Sequence, residues 1–130
     1  MEALEAIWTL RAMRRLDTKR QIPDSELLLI LAAATKAPSA GNAQPVRWIV
    51  VREAERRRQL GDIYRAEAHR VLSEMYSVAA RTDAGVERML KSALHLADHF
   101  GEVPTLLVVC APQGRIRIEG SVYPAIQNLM

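Results

Sequence analysis

A chain of 130 residues, 49% apolar and 25% charged, is sized for one domain with a real core and excludes intrinsic disorder. The formal charge is +3, and its signs are interleaved, as in Arg52-Glu53-Ala54-Glu55-Arg56-Arg57-Arg58, which on a helix makes a solvated mixed face. Aromatics are too few and too scattered to stack bases, so no nucleic-acid partner is expected. The lone Cys110 excludes an intrachain disulfide, and Met1-Glu2-Ala3-Leu4-Glu5 lacks the basic and apolar regions of a signal peptide. Both point to the cytoplasm. The longest apolar run, Leu27 to Ala34, is less than half of what a membrane span needs, so no membrane is expected either.

In chain order, Glu2 to about Arg14 predicts a first helix, with Leu4, Ile7, Trp8 and Arg11 at helical spacing. A loop follows through Asp17 to Arg20. Pro23 opens a second helix, with Asp24 and Glu26 at the positive end of its dipole, and Pro38 ends it near Lys36 or Ala37. Pro38 to Pro45 has no periodicity and predicts a loop. Trp48 to Val51 is a short β-rich run, read as a buried strand. Helical sequence resumes from Glu53 to about Leu60, from Ile63 to Ala80, and from Ala84 to Phe100. Thr105 to Cys110 is apolar throughout, as in a strand covered on both faces. A polar loop with Pro112 and Gly114 leads to Gly120-Ser121, where a last helix begins and runs into Met130 without a stop signal. Two strands make a marginal sheet, so the chain reads as one domain over 1–130 whose C-terminal part is missing.

Two stretches could carry chemistry. Arg11, Arg14 and Arg15 offer three guanidiniums within five residues, which suits a phosphate; arginines complementing a helix C-terminus would look the same. Ser39, Asn42 and Gln44 bring hydroxyl and amide groups to the loop, and Gly41 allows close backbone approach. Such a loop could read the edge of a flat heterocycle, and an ordinary turn has the same composition. His95 and His99 are four apart, but Leu96, Ala97 and Asp98 between them supply no His-Glu-x-x-His motif, so no metal is expected. Cys110 in its apolar strand reads as a small core residue. Neither a Gly-x-Gly-x-x-Gly nor a P-loop is present.

The order of these pieces carries a resemblance. Arg11-Ala12-Met13-Arg14-Arg15 precedes a Pro-opened helix that ends in Ala37-Pro38-Ser39-Ala40-Gly41-Asn42-Ala43-Gln44-Pro45, and a strand follows directly. This resembles the N-terminal signature of the nitroreductase family of FMN enzymes. Gly120-Ser121 with Ala125-Ile126-Gln127-Asn128-Leu129-Met130 is similar to the start of that family's central dimer helix. The resemblance implies an α+β fold with a central mixed or antiparallel sheet flanked by helices. It implies FMN held by Arg11 and by Arg14 or Arg15, with Ala12 and Met13 in the same cofactor-binding stretch. Pro38, Ser39, Asn42 and Gln44 would contact flavin bound mainly by the other subunit of a homodimer. NAD(P)H would be the co-substrate and a nitroaromatic or quinone the acceptor, with no catalytic side chain needed. A flavin-storing protein of the same fold, or a flavin-destroying or dehalogenating relative, are the other readings. Ala12 stands where many relatives have serine, and Leu16 where they have an aromatic.

Overall fold

Apolar spacing determines where a helix can run, but packing decides where it stops. In the computed structural model, residues 3–112 and 118–130 are described; Glu2 and Gly114 of the sequence reading lie outside them. Five α-helices are present among the described residues: α1 (Ala3–Thr9), α2 (Asp24–Ala34), α3 (Ala54–Tyr76), α4 (Ala84–His99) and α5 (Glu119–Leu129). Strands β1 (Arg47–Val51) and β2 (Leu106–Cys110) pair antiparallel, with Arg47 opposite Cys110 and Val51 opposite Leu106. The architecture is α+β, and no helix among the described residues is long and apolar enough to cross a membrane.

The chain divides into two compact units. The second, Lys19–Arg57 with Pro104–Met130, holds the sheet. There α2 packs against α5, and Leu27, Ala34, Val51, Leu106 and Ala125 are buried. The first, Met1–Thr18 with Arg58–Val103, is helical. Asp83 caps α4 by accepting from the N–H groups of Gly85 (2.7 Å) and Val86 (3.2 Å), which satisfies two of the free donors at the helix start. Tyr64 of α3 stacks on Phe100 with ring centroids 4.5 Å apart.

Four expectations are corrected. The first helix stops at Thr9 and its last backbone bond is from Leu10, so Arg11 directly follows the helix end whereas Arg14 and Arg15 lie beyond it in irregular backbone. Its periodic residues bury too little to extend it: Leu4, Ile7 and Trp8 are 60%, 66% and 78% exposed, and helices this short are marginal without packing. The two helices expected over 53–60 and 63–80 are one, α3. Gly61 does not break it, because a mid-helix glycine costs only about 1 kcal/mol. Here it has a purpose: a Cβ at Gly61 would lie 2.6 Å from the Cα of Gly101.

The strands are less enclosed than their sequences imply. Of β2 only Leu106 is buried, Ile49 of β1 is exposed, and Cys110 is a half-buried residue at the sheet's end rather than a core one. Finally, Arg52 is not part of a solvated face. It is half-buried, donating from one terminal nitrogen to the Ile22 carbonyl at 2.8 Å and pairing through the other with Asp24. It fastens the end of β1 to the start of α2.

Candidate functional site

The loop entering β1 is shaped residue by residue. Ser39 is extended (φ −135°, ψ 146°) and leads into a single 3-10 turn over Ala40–Asn42. Gly41 (φ 58°), Asn42 (φ 55°) and Gln44 (φ 46°) all lie in the left-handed region. Glycine adopts it freely and asparagine tolerates it, but for glutamine it costs about 1–2 kcal/mol. The strain persists because the loop is fixed by side chains. Ser39 Oγ accepts the Gln44 N–H at 3.0 Å, and Arg47 donates to the carbonyls of Gln44 (2.9 Å) and Val46 (3.0 Å). Gln44 Nε2 donates to Asn42 Oδ1 at 3.1 Å.

That last bond has a chemical consequence. With Asn42 Oδ1 and Gln44 Nε2 paired to each other, the Asn42 Nδ2 donor and the Gln44 Oε1 acceptor remain for other partners on an exposed loop. A donor and an acceptor on one loop suit the edge of a heterocycle. A Cβ at Gly41 would meet nothing within 4 Å, so a flat ligand can approach the backbone there. Below the loop lies a cavity of about 190 Å³ lined by Ser39, Gln44, Pro45, Trp48 and Ser121 among others.

The arginine segment belongs to the first unit and has the opposite character. Leu10 to Arg14 is irregular and Arg15 sits in a bend. No guanidinium of Arg11, Arg14 or Arg15 has a hydrogen bond or ion pair to another described residue. Arg11, Ala12, Met13 and Arg15 are exposed, whereas Arg14 is half-buried. Arg14 lines a cavity of about 220 Å³ with Leu16, Thr18, His95, His99 and Glu102. The imidazoles of His95 and His99 stack at 4.3 Å, and His99 Nδ1 is bonded to the His95 carbonyl at 2.8 Å. Among the described residues no three His, Cys, Asp or Glu side chains are grouped to hold a metal.

Among the residues singled out from sequence, Ser39, Asn42 and Gln44 are brought together, with Pro38 at the loop's entry. Ser121 and Arg47 were not singled out for the site. Ser121 is 81 positions from the residue it binds, and Arg47 acts through its own strand start, so composition offers no signal for either.

A two-stranded antiparallel sheet with flanking helices, entered through an amide-bearing, left-handed loop, makes an α+β arrangement. The chain belongs to the nitroreductase family, whose model matches residues 10–130. It is 43% identical over 63 residues to an Archaeoglobus fulgidus protein named as a candidate NADH dehydrogenase/NAD(P)H nitroreductase; the match covers 48% of this chain and 36% of that protein. Solved structures that share the fold include two flavoproteins by their descriptions. A BluB-like flavoprotein from Clostridium difficile 630 has a TM-score of 0.68 at 20% identity, over 99% of this chain and 68% of that one. Oxidised iodotyrosine deiodinase bound to FMN and 3-iodo-L-tyrosine has a TM-score of 0.68 at 22% identity, over 97% of this chain and 65% of that one.

Proposed function

We propose that the protein is an FMN-dependent oxidoreductase that uses NAD(P)H to reduce a small acceptor of the nitroaromatic or quinone type. The observation that carries this reading is the loop: family motif residues Asn42 and Gln44 present a donor and an acceptor on a strained, side-chain-fixed backbone. Its chemistry fits a flavin. The exposed amide pair suits the ring edge, and guanidiniums without partners among the described residues suit a phosphate. Bound FMN would supply the redox chemistry, and the protein would supply position and electrostatics.

The residues of this chain divide that work. Arg11 and Arg14 hold the phosphate and ribityl end; Arg14 is taken over Arg15 because it is half-buried at a cavity, whereas Arg15 is exposed. Ala12 lacks the serine hydroxyl of relatives and contributes its backbone N–H alone, with Met13 in the same stretch. Pro38, Ser39, Asn42 and Gln44 contact the ring, and they serve the flavin of the other subunit in a homodimer. The exposed apolar face of α1 supports such an interface, since Leu4, Ile7 and Trp8 would be covered there. The lone cysteine supports the cytoplasm.

The purified full-length protein should be yellow, release FMN on denaturation, and oxidise NAD(P)H when given nitrofurazone or menadione. A colourless protein that gains no flavin absorbance on adding FMN would sink the reading. Tightly held FMN with no turnover on either acceptor would replace catalysis with flavin storage.

A further inference from the structure

The loop's internal bonds shape it without attaching it to anything. Ser39 to Gln44, Gln44 to Asn42 and Arg47 to Gln44 all join residues within five positions of each other. One side-chain bond to the loop is different. Ser121, on the first turn of α5, accepts the Ala40 N–H through its Oγ at 3.1 Å, across 81 positions. Ala40 opens the 3-10 turn that carries Gly41 and Asn42.

Ser121 is 4% exposed, the one buried polar side chain among the described residues. A hydroxyl placed there without a partner would be destabilising, so its burial is tolerated through the bond it makes. Its neighbour one turn on, Ala125, is buried without a polar group and packs as an ordinary core residue. Both positions are buried four residues apart on one helix face, and alanine would fill 121 as it does 125. The hydroxyl is therefore explained by Ala40, not by packing.

We infer that Ser121 is a positioning residue, fastening the Pro38–Pro45 loop to α5 so that Asn42 and Gln44 meet the flavin in register; this rests on the flavin reading above. It touches no ligand itself. Removing its oxygen leaves the loop's internal bonds intact and frees the loop as a body. The ring contacts are then retained in kind but must be ordered on binding.

The test uses the full-length protein and three variants: Ser121→Ala, Ser121→Thr, and Val122→Ala. The last trims a half-buried apolar group on the same helix turn and has no hydroxyl to lose. FMN dissociation constants are read by flavin fluorescence well below every melting midpoint, alongside the visible spectrum of bound flavin and amide exchange at Ala40. Ser121→Ala should weaken FMN about three- to tenfold, the range of one ordinary hydrogen bond. It should also change the bound-flavin spectrum and speed Ala40 exchange. Ser121→Thr should restore all three, and Val122→Ala should lower the melting midpoint while leaving them unchanged. Wild-type affinity and spectrum in Ser121→Ala, or losses there that Val122→Ala matches, overturn the inference and leave the flavin reading standing. A wild-type protein that binds no flavin overturns both.

Discussion

The loop at Pro38–Pro45 and the segment at Arg11–Arg15 are both candidate cofactor contacts, yet they are built on different principles. The loop holds three left-handed residues in place with hydrogen bonds from Ser39, Gln44, Arg47 and Ser121. The arginine segment has irregular backbone and guanidiniums with no partner among the described residues. In the loop, information is stored as backbone shape; in the segment, as charge. Substitutions should therefore separate. Changes in the arginine segment should alter ligand affinity with little effect on stability, and changes in the loop should move both.

The largest expected effect is Arg14→Glu. It removes a charge-assisted contact of ~1.5–3 kcal/mol and adds repulsion, so FMN should bind at least about tenfold more weakly. The melting midpoint should move little, since no partner among the described residues is lost. The comparison variant is Arg56→Glu, whose exposed pair with Glu53 contributes ~0–1 kcal/mol and lies in a mixed surface run. Equal FMN dissociation constants for the two would return the segment to an ordinary solvated one. Arg52 is unsuitable as that control because of its bonds to Ile22 and Asp24.

Stability of the first unit should instead depend on helix packing. In Gly61→Ala the new Cβ would fall 2.6 Å from Gly101 Cα, which is backbone and cannot rotate away. Overpacking of this kind costs ~1–3 kcal/mol, to be read as a lower urea midpoint with unchanged slope. A midpoint equal to wild type would mean that α3 and the 3-10 turn at Phe100–Glu102 separate more easily than their contact implies.

The sequence made part of this legible and hid the rest for physical reasons. Pro, Ser, Gly and Asn announce the loop, because each has a local preference for turns. That Gln44 is left-handed has no local signal, since glutamine has no such preference; it follows from bonds made by Ser39 and Arg47. The periodicity of the first helix continues to Arg11, but periodicity records where apolar residues would fall, not whether a surface covers them. For α1 none does among the described residues, and the helix ends at Thr9. Gly61 misleads in the opposite direction: read locally it divides a helix, while in three dimensions it admits Gly101.

Gln44→Gly is the sharper test of stored shape. Glycine relieves the left-handed conformation, worth about 1 kcal/mol, while the Ser39 Oγ bond to the backbone N–H survives. The acceptor at Oε1 disappears. The melting midpoint should rise by a few degrees and FMN affinity should fall, opposite signs that a purely structural loop could not give. A rise in both would mean that Gln44 makes no contact with the ligand, and a fall in both that it is held for stability.

The smallest effect concerns acid. The loop's bonds are between hydroxyl, amide, guanidinium and backbone groups, none of which titrates between pH 3 and 6, so its order should be constant there. The first unit does contain an acid-sensitive pair. Asp98 Oδ1 lies 2.7 Å from His69 Nε2, and its carboxyl is held below the ordinary aspartate value, chiefly by the hydrogen bond from His69, then by the charges of His69, His99 and Arg65. A carboxylate whose pKa is lowered by folding stabilises the native state above its unfolded value, about 3.9, and loses that contribution as pH falls through the lower folded value. Both side chains are nearly half exposed, 44% and 45%, so solvent screens the pair and the effect is small. Asp98→Asn should flatten the acid limb of the stability profile below about pH 4 and leave amide exchange in the Pro38–Pro45 loop unchanged. An acid limb as steep in Asp98→Asn as in wild type would assign the acid response to other carboxylates, and loop exchange that followed the mutation would mean that the two segments are coupled after all.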